Sequence, residues 1–327
     1  MERENQLRII DVNLLYLIGA LLFFTLGFYV QTRELYTGLL ITQFAVVLLP
    51  AVVYLEIKKL DIKNTIRMNP LNWKQIVLTV LITLFMYPSA VFANLIMINL
   101  LSQLGTIDVP QIPVATNIYE YLRLVLIVSL AAGICEEVLF RGVILRGYER
   151  LGNVKAVMIT SVLFGIFHYN LYNLLGPIVL GIIFGSLVLV TQSLWAGIIG
   201  HIVNNLLAVS IGYFYYLIDD YIPIQETEIT EIALQDSLFA SMIFFGVLTI
   251  AGLFLSIILW KKLKRISQDF RDSEVSGTEP EHDENSPKNL TERKNRVSLM
   301  EYIPLSGAIP LFIYVAIWQI GNILSNS

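Results

Sequence analysis

Three residues with chemical capacity, Glu136, Glu137 and Arg141, lie in a largely apolar segment from about Tyr121 to Leu145. A segment of that length would span a bilayer. A charge at its centre costs about 2.5–3.5 kcal/mol on insertion scales and roughly 10 or more on an isolated helix. Such a cluster marks either an ion pair that locks helices together or a site of chemistry. Glu137 and Arg141 are spaced i,i+4 with the acid first, the favourable order for a pair on one helix face. Glu136 lies about 100° around the helix, on the side of Ala132 and Gly133. One carboxylate is thereby committed to a structural pair, and the other is left free to act as a general base.

Two further polar pairs follow. Phe164 and His168 are one turn apart, and so are His201 and Asn205. A lone histidine on an apolar helix is commonly a satisfied core residue. His201 and Asn205, side by side, would serve either as oxyanion donors or as hydrogen bonds between helices. Cys135, the single cysteine, excludes intramolecular disulfides and multi-cysteine metal sites. Beside Glu136 it invites a nucleophile reading, but a small apolar filler is the simpler role. Glu136, His168 and His201 could also ligate zinc.

Depth links these pairs. At about 1.5 Å per residue, Glu136 lies about 15 Å from the end of its helix near Arg146. His168 lies about 20 Å above Lys155, and His201 and Asn205 roughly 10 to 16 Å above Leu194. Four polar groups from three helices thus fall in one layer.

The elements that must hold them are membrane helices. Of the 327 residues, 56 % are hydrophobic and 15 % charged, with a mean hydropathy of +0.68. Soluble domains are about 25 % charged, so the composition is that of a polytopic membrane protein. The expected class is all-α with about nine transmembrane helices. Apolar runs cover Val12–Val30, Leu35–Leu55, Ile76–Leu101 (with Pro88 a kink), Tyr121–Leu145, a fifth from Ala156 with Phe164 and His168, Leu174–Val190, Leu194–Leu217, Leu238–Trp260 and Tyr302–Leu324. Gly181 and Gly185 are spaced for close helix contact. The loops after spans two, four and eight hold five, three and nine Lys/Arg, while those after spans three, five and seven hold none. The asymmetry predicts a cytoplasmic N-terminus and an outer C-terminus. Residues 1–260 therefore read as a bundle of about eight helices. Residues 261–299 read as a charged, disordered cytoplasmic linker, and 300–327 as an additional C-terminal helix. Asn289-Leu290-Thr291 matches a glycosylation sequon, discounted because this topology puts it in the cytoplasm. The basic loops are ordinary topology signals, so no nucleic-acid partner is expected.

The ordered set Glu-Glu-x-x-x-Arg (136–141), Phe-x-x-x-His (164–168) and His-x-x-x-Asn (201–205) resembles the CAAX-protease and bacteriocin-processing family of intramembrane glutamate endopeptidases, in its bacterial branch. The motifs run from about Ala131 to Asn205, and the family core would cover about residues 76–260. The resemblance implies that Glu136 and His168 activate water and that His201 and Asn205 form the oxyanion site. Glu137, Arg141 and Phe164 would support that site, with no cofactor. It implies a membrane-associated peptide or protein as substrate and a multi-pass protein of the bacterial plasma membrane. Its scope ranges from prenylated CAAX tails to bacteriocin leaders. No His-Glu-x-x-His, Gly-x-Ser-Gly or Gly-x-Gly-Asp of other intramembrane proteases is present. Three alternatives stand beside this reading: a zinc-dependent variant, a non-catalytic immunity or chaperone protein that binds a membrane peptide, and a transporter with a Glu/His proton relay.

Overall fold

The computed structural model describes residues 7–107, 113–221, 231–276 and 298–325. Among the described residues there are helices and no strands. Nine long helices follow the nine apolar runs in order. They are α1 (Ile9–Arg33), α2 (Leu35–Ile57), α3 (Trp73–Ser102), α4 (118–148), α5 (Asn153–Ile166), α6 (Leu175–Thr191), α7 (Leu194–Tyr221), α8 (Glu231–Ser276) and α9 (Leu305–Ser325). The all-helical membrane class holds, but the count of nine spans is not confirmed. Among the described residues six helices, α1, α2, α3, α7, α8 and α9, are long and apolar enough to cross a membrane. The other three differ for physical reasons. Helix α4 carries Arg123, Glu136, Glu137 and Arg141. Helices α5 and α6 have 14 and 17 residues, which rise about 21 and 25 Å against a hydrocarbon core of about 30 Å.

Local chemistry sets the helix ends. Asn72 and Gln75 form a reciprocal capping box at the start of α3, which then runs unbroken past Pro88. Asn117 caps α4 through the amides of Tyr119 and Glu120. Gln192 turns left-handed at the end of α6. Helix α4 winds more loosely, with wide π-type turns, at Val125–Ala131 and Val138–Ile144, on either side of the glutamates. Such turns often accompany functional sites. Between α5 and α6 the contact is close: a Cβ on Gly181 would lie 2.8 Å from the Ser161 backbone.

Helix α5 stops where hydropathy alone would carry it on. Tyr169 adopts a left-handed backbone (φ 50°), which disfavours a bulky residue by about 1–2 kcal/mol. His168 therefore lies on a turn beyond the helix, not within it. Phe167, Tyr169, Leu171 and Tyr172 are all buried. Non-helical backbone at membrane depth is tolerated where protein satisfies it, and two distant helices help to do so. The Leu171 amide donates to Gln319 Oε1 of α9 at 2.9 Å. Asn94 of α3 donates to Asn173 Oδ1 in the loop at 2.6 Å while accepting from the Gly176 amide in the first turn of α6 at 2.6 Å. Gln319→Leu is expected to strand the buried Leu171 N–H and cost about 1–3 kcal/mol. Thermal unfolding in detergent measures this, and an unchanged transition would show that the bond contributes nothing.

The boundary expected at residue 260 is corrected. Helix α8 continues to Ser276, so 261–276 is helical and not irregular. The extension is amphipathic and has a partner. Leu263 and Ser267 are buried, Ser267 Oγ accepts from Gln75 Nε2 at 3.0 Å, and Arg271 donates to the Val190 carbonyl at 3.0 Å. The rest of the expected linker (277–297, with its sequon), residues 108–112 and residues 222–230 lie outside the described residues.

Helix α9 is tied to the bundle at its start and along α1. Glu301 pairs with Arg150, and its carbonyl accepts from Asn13 Nδ2 at 2.8 Å. Asn13 Oδ1 in turn accepts from Tyr148 at 2.6 Å. Arg67 pairs with Glu149 nearby. These contacts gather the N-terminal segment, the loop after α2, the end of α4 and the start of α9 at one end of the bundle.

Candidate active site

Five helices contribute to the polar cluster. On α4, Arg141 Nη1 donates to Glu137 Oε1 at 2.6 Å, with side-chain exposures of 2 % and 0 %. From α7, His201 Nδ1 lies 2.9 Å from the same Glu137 oxygen. A carboxylate oxygen accepts, so Nδ1 carries hydrogen and Nε2 faces the other way. Nε2 stands 4.0 Å from Glu136 Oε2. His201 thus bridges the two acids. Glu136 retains 14 % exposure, and its Oε1 accepts from Gln43 Nε2 of α2 at 2.7 Å.

Aromatic rings stabilise the buried cation. The Arg141 guanidinium carbon lies 4.4 Å from the Phe164 ring centre and 5.6 Å from that of Phe184 on α6. A desolvated cation–π contact is worth about 2 kcal/mol or more, which offsets part of the charge's cost. Phe164 also meets the rings of His168 (4.9 Å) and His201 (5.9 Å) edge-on, and Phe184 stacks on His201 at 5.3 Å. One aromatic ring therefore touches Arg141, His168 and His201, which sets all three in one layer.

His168 is half-buried, and its Nδ1 lies 2.8 Å from the Phe164 carbonyl. That carbonyl accepts only, so Nδ1 carries the hydrogen and, in the neutral ring, Nε2 holds the free lone pair. Among the described residues His168 makes no hydrogen bond to either glutamate. Asn205 Nδ2 donates to the Val128 carbonyl of α4 at 2.8 Å, and its Oδ1 accepts from Asn204 Nδ2 at 3.0 Å. One amide hydrogen of Asn205 is therefore committed and one remains. Cys135 is fully buried. Among the described residues no group of three His, Cys, Asp or Glu is placed to hold a metal ion.

Backbone proximity makes the arrangement feasible. A Cβ on Gly197 of α7 would stand 2.7 Å from Glu137 Oε2. Only glycine there lets the carboxylate lie against the helix that carries His201.

Residues 119–207 match the family described as "Type II CAAX prenyl endopeptidase Rce1-like". They contain Glu136, Glu137, Arg141, Phe164, His168, His201 and Asn205. Over this segment the chain is similar to that family. Over 91 residues it is 35 % identical to a Bacillus subtilis (strain 168) protein described as "Putative membrane peptidase YdiL". That stretch is 27 % of this chain and 37 % of the relative, so the chain spans little more than a third of the relative's length. No solved structure gives a significant match. The family and the apolar helices make it a multi-pass membrane protein of the bacterial type.

Gln43, Phe184, Gly197 and Asn204 complete the cluster but were not singled out in the sequence. Gln43 did leave a signal, as an amide in the middle of an apolar span, where polar side chains are rare. Phe184 left none, because a phenylalanine in an apolar helix looks like any other.

Proposed function

We propose that this chain is an intramembrane endopeptidase that hydrolyses a peptide bond in a membrane-associated protein or peptide without a metal. The observation that carries the reading is the asymmetry of the two acids. Glu137 is sealed between Arg141 and His201, whereas Glu136 is open at 14 % and faces His201. The sealed acid orients its neighbours, and the open one does chemistry. Glu136 takes a proton from a water molecule whose oxygen attacks the scissile carbonyl carbon. His168, with Nε2 free, accepts a hydrogen bond from that water and orients it. The uncommitted hydrogen of Asn205 donates to the developing oxyanion. His201, whose Nε2 faces Glu136, donates there as well when that nitrogen carries a hydrogen. The tetrahedral intermediate collapses by breaking the C–N bond, and the amine leaves with the proton held by Glu136.

Membrane peptides cleaved by the chain in liposomes provide the test. Asn205→Ala is expected to lower the rate about 100- to 1,000-fold with the fold retained. A chelator should leave the wild-type rate unchanged. Loss of activity on chelation, restored by zinc, would replace this reading with a metal-dependent one.

A further inference from the structure

A general base must hold two forms of one group, a carboxylate before proton transfer and a carboxylic acid after it. The carboxylate accepts hydrogen bonds only, whereas the acid also donates one. A fixed donor serves the first form and leaves the second poorly bonded. Gln43 offers both capacities at one place. Its Nε2 donates to Glu136 Oε1 at 2.7 Å, while its own Oε1 is buried with no hydrogen-bond partner among the described residues. A glutamine that were merely structural would be expected to engage both ends, because a buried unpaired carbonyl costs about 1–3 kcal/mol. Here the far end is unanchored among the described residues. A half-turn of the amide about its last torsion therefore gives up one bond, that of Nε2 to Glu136, which weakens once the carboxylate is protonated. That torsion is broad and roughly two-fold.

We propose that Gln43 is a positioning residue that serves both proton states of Glu136: its N–H donates to the carboxylate, and after a half-turn its carbonyl accepts from the acid. The inference rests on the reading of Glu136 as the base, and it extends the site to α2, outside the family-matched segment 119–207.

The groups facing Glu136 are few. Its helix segment packs against α2 and α7. Helix α7 brings His201 to 4.0 Å, helix α4 itself contributes Cys135, Glu137 and Arg141, and α2 presents the neutral amide of Gln43. Removing the amide donor penalises the ionised form more than the acid, because hydrogen bonds to a charged group are the stronger ones. Glu136 should then hold its proton to higher pH.

The test is infrared titration of the reconstituted chain. It follows the carboxylic C=O band that Glu136→Gln removes. Gln43→Met, close in shape but without the amide, is expected to move the midpoint up by about one pH unit. Gln43→Ala, which opens space without adding bulk, should move it in the same direction if the methionine variant folds poorly. In cleavage assays the acidic limb of kcat should move up with the band. A midpoint unchanged in whichever variant folds would overturn the role of Gln43. A band that moves while the limb stays put would leave that role intact and remove Glu136 as the base.

Discussion

Arg141→Met is expected to destabilise the protein by about 3–5 kcal/mol, because it leaves Glu137 charged and buried without its main partner. Glu137 is 0 % exposed and Arg141 2 %, and they meet at 2.6 Å. The remaining partner, His201, offers the acid a single hydrogen bond at 2.9 Å. The guanidinium also fills the space above Phe164 and beside Phe184, so its loss opens a packing defect in the same layer. The double variant Glu137→Gln/Arg141→Met removes both charges and should recover much of the loss. It should still cleave poorly, because His201 then lacks its carboxylate. Thermal unfolding in detergent reads the first effect and peptide cleavage the second. Equal stabilities of wild type and Arg141→Met would show that the pair is not what retains charge in this helix.

Glu136→Gln is expected to lower cleavage by about 100- to 10,000-fold, the range that general acid–base catalysis supplies, while leaving stability close to wild type. The side chain is partly exposed and its direct bond is to the amide of Gln43. A glutamine carbonyl can accept that same bond, so the substitution removes the base with little change in packing. The contrast with Arg141 is the point. One substitution removes chemistry and spares the fold, whereas the other damages the fold. Measured together, rate and unfolding temperature separate the roles of the neighbouring acids. A Glu136→Gln protein that cleaves at the wild-type rate would remove Glu136 from the reaction.

The sequence was most readable where chemistry is local. The i,i+4 spacing of Glu137 and Arg141 led to a pair on one helix face, and these residues meet there. The apolar runs marked the nine long helices, since hydropathy averages over many residues and tolerates errors at the ends. Sequence failed where distant partners decide the backbone. Phe167, Tyr169, Leu171 and Tyr172 continue the apolar pattern through the turn after α5. Only Tyr169 in a left-handed conformation, with Gln319 bonding Leu171 and Asn94 bonding Asn173 of the loop, ends the helix before His168. Residues 261–276 look like a solvated linker by charge, yet Leu263 and Ser267 bury against the bundle. The same limit applies within the site. Nothing in the spacing of His201 and Asn205 reveals that Glu137 holds His201 through Nδ1, or that Asn204 and Val128 hold Asn205. Both residues lie on one face of one helix, but their partners come largely from another.

The ninth helix lies outside the segment that matches the family, residues 119–207. Charge spacing made it look like an appendage. Gln319 instead reaches the loop that carries His168, so the turn on which that histidine sits depends on a helix more than 100 residues away in the chain.

The most direct measurement compares the membrane peptides of cells carrying the wild-type chain with those of cells carrying Glu136→Gln at equal protein levels. The account predicts one or more membrane-associated polypeptides that persist uncut in the variant, with matching new termini found only in the wild type. Indistinguishable peptide sets, with the cellular phenotype retained in Glu136→Gln, would contradict it and favour a protein that binds its partner without cutting it.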